Sequence, residues 1–166
     1  MVASARLTDT IDLHEVASTL DLDFEAEQFP GMVYRVGEET HGTGARSYDD
    51  VVIAMNHIVD DLNDHEFDLW DFNEDDIQVQ NIVMTYDYAE TLHLHELVLA
   101  LPFERSEYEP EQFPGLIFRL KETSGVCLIF SSGKCVITGT NSPDEALAAI
   151  DELKEVLDTV RIARGI

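Results

Sequence analysis

The sequence predicts an α+β fold built from two copies of one unit, and three observations predict it. Glu27-Gln28-Phe29-Pro30-Gly31 recurs as Glu111-Gln112-Phe113-Pro114-Gly115, at an offset of 84. Short, almost wholly apolar runs at Leu116–Leu120, Val126–Phe130 and Cys135–Thr138 read as strands. Each half also ends in a longer stretch whose apolar residues recur at helical spacing. Weaker matches keep the same order. Met-Val-Tyr-Arg ending at Arg35 answers Leu-Ile-Phe-Arg ending at Arg119, and Leu13-His14-Glu15 answers Leu94-His95-Glu96 at an offset of 81. Thr43-Gly44 answers Thr138-Gly139 at an offset of 95. Such an ordered set marks an internal repeat. It divides the chain into a first copy (1–63), an acidic linker (64–76) and a second copy (77–166).

Each copy reads as strand, helix, several strands, helix. In the first, the strand is Val2–Leu7 and the short helix runs from about Asp12 to Leu20. The long helix runs from Ser47 to about Leu62, with Val51, Met55, Ile58, Val59 and Leu62 as its stripe. The second copy opens with a strand at Val79–Tyr86, followed by a short helix at His93–Leu101 that Pro102 ends. Ser131-Ser132-Gly133-Lys134 joins the last two strands as a hairpin turn. Ser142-Pro143-Asp144-Glu145 then starts the long helix, with a Ser cap, Pro at the first position and Glu three residues after the cap. Its expected stripe is Leu147, Ile150, Leu153, Val156, Leu157 and Val160.

The offset rises from 84 before the first-copy sheet to 95 after it, so eleven residues are missing between Arg35 and Thr43. They correspond to the Val-Cys-Leu-Ile-Phe strand, its turn and most of the next strand. The polar segment Gly37-Glu38-Glu39-Thr40-His41-Gly42 stands in their place and reads as a loop. The first copy is therefore expected to lack a hairpin.

The surviving hairpin has no polar side. Successive side chains of a strand point to opposite faces, so Cys127, Ile129, Cys135 and Ile137 share one face and Leu128, Phe130, Val136 and Thr138 the other. The first face suits a helix cover. The second belongs either to a two-sided core or to an exposed apolar binding surface, and this stretch alone does not choose between them. Cys127 and Cys135 do not lie opposite each other and read as reduced core residues.

Asp and Glu number 34 against 10 Lys and Arg, a net charge of −24, while 45% of residues are hydrophobic. That much apolar content excludes a disordered acidic tail, so the acid is surface on a folded protein. It suits either an acidic partner-binding protein or a very salty cytoplasm, and its spread over every segment favours the second. No run is long and apolar enough to span a bilayer and no signal peptide stands at the start, so a soluble, intracellular chain is expected. The histidines form no metal-spaced cluster. No nucleophile motif, phosphate loop or paired-carboxylate motif rises above the acidic background, so no enzyme, metal or cofactor is expected.

With the repeat, the Phe-Pro-Gly corners, the Gln80-Asn81-Ile82-Val83 strand and the Leu128-Ile129-Phe130-Ser131-Ser132-Gly133-Lys134 hairpin in view, the chain resembles an archaeal, and by its acidity haloarchaeal, TATA-box-binding protein with a degenerate first repeat. The resemblance covers essentially the whole chain and is most specific in residues 79–160. It implies a saddle: two pseudo-symmetric halves forming one curved antiparallel sheet, helices on the convex side, and a concave side that lies on the DNA minor groove. In that family, apolar wedges enter base steps and kink the duplex. Residues between the wedges touch a groove floor that looks nearly alike for A·T and T·A, and selection follows deformability.

Carried over by position, Phe113 and Phe130 resemble the wedge pair, and Asn81 the central minor-groove hydrogen-bonding residue, with Val83 beside it. Leu128, Val136 and Thr138 resemble floor contacts, and Arg119 a phosphate contact. In the first copy Phe29, Val2 and Arg35 match Phe113, Val83 and Arg119. The second wedge, the Leu and Val contacts and the match to Asn81 are absent. Glu109 and Glu111 match the stirrup that engages transcription factor B. The implied partners are TATA-box duplex DNA, transcription factor B and, indirectly, RNA polymerase, in a high-salt archaeal cytoplasm with no membrane role. A second reading is a degenerate paralogue that binds factor B or another protein without bending DNA. A weaker third is a small-ligand-binding domain of similar topology.

Overall fold

A computed structural model of the chain describes residues 1–36 and 45–164, in two units, Met1–Gln78 and Val79–Ile166. The loop expected at Gly37–Gly42 lies outside the described residues.

Strand alternation organises the second unit. Strands β2 (Gln78–Asp87), β3 (Ser106–Glu107), β4 (Leu116–Arg119), β5 (Val126–Ile129) and β6 (Lys134–Thr140) form an antiparallel sheet in the order β2-β6-β5-β4-β3. On one face Leu116, Phe118, Cys127, Ile129, Cys135 and Ile137 are all buried. They join Leu94, Leu97 and Leu101 around helix α3 (Leu94–Ala100) and Ala149, Leu153 and Leu157 of helix α4 (Pro143–Arg164) in one apolar cluster. Each large side chain buried there stabilises the unit by roughly 1.5–3 kcal/mol. The cysteines are free and buried, with Cys127 opposite Ile137 and Cys135 opposite Ile129. Burial pushes the Cys127 thiol up to about 12 and that of Cys135 up to about 11.

The expected α4 stripe holds at Ile150, Leu153, Val156, Leu157 and Val160 and fails at its first residue. Leu147 is 59% exposed, and Ala146 and Ala149 are buried in its place. The reason is close approach: a side-chain carbon added at Gly125 would lie 3.2 Å from the Ala149 methyl, so only small residues fit where the helix meets the sheet. The hairpin turn is tighter than the four residues expected. Phe130 N donates to Lys134 O and Gly133 N donates to Phe130 O, leaving three loop residues with Gly133 at φ +84°. A side chain there would meet the Glu90 carbonyl at 2.2 Å, so the turn requires glycine. Strand β3 is too short to signal itself in the sequence.

The first unit holds strand β1 (Val2–Ser4) and helices α1 (Leu13–Thr19) and α2 (Tyr48–Asp64). Asp12 caps α1 by accepting from the backbone N–H groups of His14 and Glu15. Ser47 and Asp50 close a reciprocal capping box on α2. The expected strand Val2–Leu7 stops at Ser4. Beyond it the Leu7 carbonyl accepts from Trp70 N at 2.8 Å and Arg6 lies over the Trp70 ring. Met32–Arg35, the counterpart of β4, forms no strand. A strand needs a partner, and no described residue pairs with this segment.

In the second unit acid is used as structure. The Glu145 carboxylate accepts from Ser124 N (3.0 Å), Ser124 Oγ (2.8 Å) and Asn141 N (3.3 Å). Glu152 accepts from Lys121 N at 2.6 Å and from Glu122 N. The two side chains bind the β4–β5 connection to α4. The Ser124 backbone N–H, its hydroxyl and Asn141 hold the Glu145 carboxyl below the usual carboxylate range. A lowered folded-state pKa stabilises the fold above the ordinary value of about 4.3 and loses that contribution as pH falls through the lowered one. Glu145→Gln should therefore lower the melting temperature at pH 7, with the gap to the parent chain narrowing as pH falls below about 4. Melts at fixed salt between pH 7 and pH 3 check this, and a gap independent of pH contradicts it.

Candidate nucleic-acid interface

The other face of the second unit's sheet is built by the register alone. Glu107, Ile117, Leu128, Val136 and Thr85 lie opposite one another as a row across five strands. Arg119, Val126 and Thr138 form a parallel row two residues further along. Ile117, Val126, Leu128, Val136 and Thr138 are half-buried, and Val83 and Arg119 are exposed. None of these apolar side chains belongs to the buried cluster on the opposite face.

A bulge shapes one end of this face. Ile82 pairs with Thr140 but Met84 pairs with Ile137, so Thr138 and Gly139 together face Val83. Gly139 takes φ +92° to allow it. Asn81 fills the bulge: its Oδ1 accepts from Gly139 N (2.8 Å) and Thr138 Oγ (3.1 Å), and its Nδ2 donates to Thr138 Oγ (3.0 Å). The Gly139 N–H fixes the orientation of the amide, which ties Asn81 and Thr138 into one polar group beside Val83.

Phe113 and Phe130 form the opposite end. Their ring centroids are 5.8 Å apart with planes at 63°, an edge-to-face pair. Phe130 shares strand parity with Leu128, and the turn before β4 delivers Phe113, whose N–H, like that of Gln112, donates to the Glu109 carbonyl at 2.9 Å. Glu109 and Glu111 are exposed in that turn, and Gln112 Nε2 bonds the Glu109 carboxylate. Gly115 lies beneath both rings; a side-chain carbon there would be 2.7 Å from Phe113 and 3.1 Å from Phe130.

The structure thus brings Asn81, Val83, Leu128, Val136, Thr138, Arg119, Phe113 and Phe130 onto one surface of the second unit. Ile117, Val126 and Thr85 share it, and sequence reasoning left them out although the same strand parity points to them. Charge is sorted on this surface. Arg119 and Lys134 are its cations, and its acids, Glu107 and Asp87, sit on β3 and β2, the last and first strands of the second unit's order. In the first unit Phe29, Val2 and Arg35 are exposed. The turn before Phe29 repeats the one before Phe113, with Gln28 N and Phe29 N donating to the Glu25 carbonyl. Phe29 meets no second ring among the described residues and is 56% exposed.

Comparison with known proteins places this geometry. The family model described as transcription factor TFIID, or TATA-binding protein, matches residues 76–160. TATA-box-binding protein 1 of Haloferax volcanii is 40% identical over 177 aligned positions, covering 99% of this chain and 93% of that one. The TATA-box-binding protein of Methanocaldococcus jannaschii is also 40% identical, covering 97% of this chain and 91% of its own length. The solved structure of the Methanococcus jannaschii TBP superposes with a TM-score of 0.77 at 37% identity, over 95% of this chain and 94% of that one. Relatives from Thermoplasma acidophilum are nearly as similar, at 38%. The similarity therefore shows the family and the fold without singling out halophiles.

Gly115→Ala should drive the Phe113–Phe130 pair apart and destabilise the chain by about 1–3 kcal/mol, the usual cost of overpacking. Gly31→Ala should cost less, because the single exposed Phe29 ring is free to swing away. Denaturant midpoints of the two variants, with ring–ring NOEs for the first, check the contrast.

Proposed function

The chain belongs to the TATA-binding-protein family, and we propose that it acts as a general transcription initiation factor that binds the minor groove of TATA-box promoter DNA and bends it. That family is one of DNA-binding transcription factors and not of enzymes. The single observation that carries the reading is the uncovered apolar row Ile117–Leu128–Val136 with an aromatic pair at its end. A minor-groove floor offers few hydrogen-bonding distinctions, and a flat apolar strand surface with one polar group, Asn81–Thr138, fits it. Phe113 and Phe130 act as the wedge that opens a base step, and Arg119 meets phosphate. Phe29, Val2 and Arg35 supply a thinner version of the same contacts from the first unit. Glu109 and Glu111, exposed beside the wedge, take transcription factor B, which brings RNA polymerase indirectly. Among the described residues no helix is long and apolar enough to cross a membrane, and the proposed setting is a high-salt archaeal cytoplasm.

One observation favours a second reading, a degenerate paralogue that binds factor B without bending DNA. The alignment with the Haloferax protein runs over 177 positions against 166 residues here, so at least eleven of them face a gap in this chain. The internal repeat puts such a gap between Arg35 and Thr43, where a second first-copy wedge would sit.

Charge dictates the conditions of the test. A chain of net charge −24 repels DNA in dilute buffer. At about 1 M salt the Debye length falls to roughly 3 Å, so repulsion fades while apolar insertion persists. Gel shifts on a TATA duplex should show binding that strengthens from 0.1 M toward molar KCl, opposite to the counterion-release trend of basic proteins. Phe113→Ala and Phe130→Ala should each weaken binding by about tenfold or more, as loss of a base-stacking aromatic does. Factor B binding without any DNA shift at molar salt selects the paralogue. Steady weakening with salt overturns the charge reading.

A further inference from the structure

The first unit carries an open cavity of about 380 Å³. Val16, Leu20, Met32, Tyr34, Ile58 and Leu62 line it. By the offsets of the internal repeat these answer Leu97, Leu101, Leu116, Phe118, Leu153 and Leu157. In the second unit all six are buried, closed over by Cys127, Ile129, Cys135 and Ile137 of β5 and β6. Of their six first-unit counterparts only Val16 and Leu62 are buried. The cavity is the core of the repeat with its hairpin taken away. The connecting residues 37–44, Gly-Glu-Glu-Thr-His-Gly-Thr-Gly, contain no apolar side chain.

A second observation concerns the backbone. In the second unit Leu116–Arg119 pairs with β5, and Leu120 N donates to Gly125 O, so Leu116, Phe118 and Leu120 direct their amides toward that strand. The counterparts of the first two are Met32 and Tyr34. No backbone hydrogen bond joins Met32–Val36 to any other described residue. Apolar wall and a strand-like edge with no backbone partner among the described residues therefore lie together. The Tyr34 hydroxyl donates to Asp61, which pins this ring as one side of the opening.

We propose that this groove is a docking site for an extended strand of a partner protein, which adds beside Met32–Val36 and fills the place that β5 fills in the second unit. Its inward positions are small or β-branched apolar residues at every second place, as Cys127 and Ile129 are. Main-chain bonds to an open edge supply affinity and alternate side chains supply selectivity. Its flanks are basic: residues 1–78 hold twenty acidic residues against Arg6, Arg35 and Arg46. The docking site rests on the cavity and edge of the first unit and not on the DNA contacts proposed for the sheet face of the second.

The probe is a fluorescein-labelled peptide of residues Val126–Thr140 with Cys127→Ala and Cys135→Ala and two lysines at each end, titrated onto the full chain in 1 M KCl. Saturable binding is expected, with amide exchange at Met32 and Tyr34 slowed at least about tenfold and Leu116 and Phe118 unchanged, as new ladder bonds require. Ile58→Glu, which places a charge in the half-buried wall, should weaken binding at least about tenfold; its amide spectrum checks that it folds, and Met32→Glu replaces it if it does not. A peptide of equal composition with the alternation scrambled should not bind. The proposal is overturned by no saturable binding, by binding that leaves the Met32 and Tyr34 amides unprotected, by equal binding of the scrambled peptide, or by sedimentation showing that a second copy of the chain already occupies the groove.

Discussion

The second unit has one layer of helices and a sheet with two apolar faces, and the rest of the molecule follows from that mismatch. Helices α3 and α4 close over Leu116, Phe118, Cys127, Ile129, Cys135 and Ile137. Nothing comparable remains for Ile117, Leu128, Val136 and Val126, which stay half-buried. Fold stability gains little from keeping those positions apolar, since polar residues there would cost no core contact and would protect the sheet from association. Their presence on three neighbouring strands fits the proposed surface that another molecule covers.

Charge and apolar surface have been kept apart to let that face work. The chain carries −24 overall, yet Arg119 and Lys134 lie on the open sheet face, with Glu107 on β3 and Asp87 on β2. Part of the acid elsewhere is put to structural use, as the Glu145 and Glu152 carboxylates collect backbone N–H groups of the β4–β5 connection. An acidic chain can then meet a polyanion only where its own field is screened, through contacts that are not ionic.

What the sequence disclosed is what depends on neighbours along the chain. Strand parity separated Cys127 and Ile129 from Leu128 and Phe130 because alternation is local, and the Ser142 cap is likewise read from four residues. What depends on distance between elements stayed hidden. Ala146 and Ala149 displace Leu147 from the buried stripe because the helix approaches Gly125 closely. The Gly139 bulge follows from the Asn81 side chain reaching across from β2. The candidate surface was legible at Phe113, Leu128 and Val136, and strand parity reaches Ile117, Val126 and Thr85 as well, whereas their alignment into rows needed the pairing register.

The repeat separates these two kinds of cause within a single molecule. The turns before Phe29 and Phe113 have the same sequence pattern and the same pair of hydrogen bonds, to Glu25 and to Glu109. Local sequence is therefore sufficient for the turn. The aromatic pair is not repeated among the described residues, because Phe130 belongs to the β5–β6 hairpin and no described residue of the first unit answers it. Met32–Arg35 likewise has the residues of a strand and no ladder. The first unit thus keeps its helices and its turn, since each is capped or closed by its own neighbours. What is not seen among its described residues is what requires a partner strand: a second aromatic against Phe29 and a ladder beside Met32–Arg35. In the second unit both are the work of one hairpin.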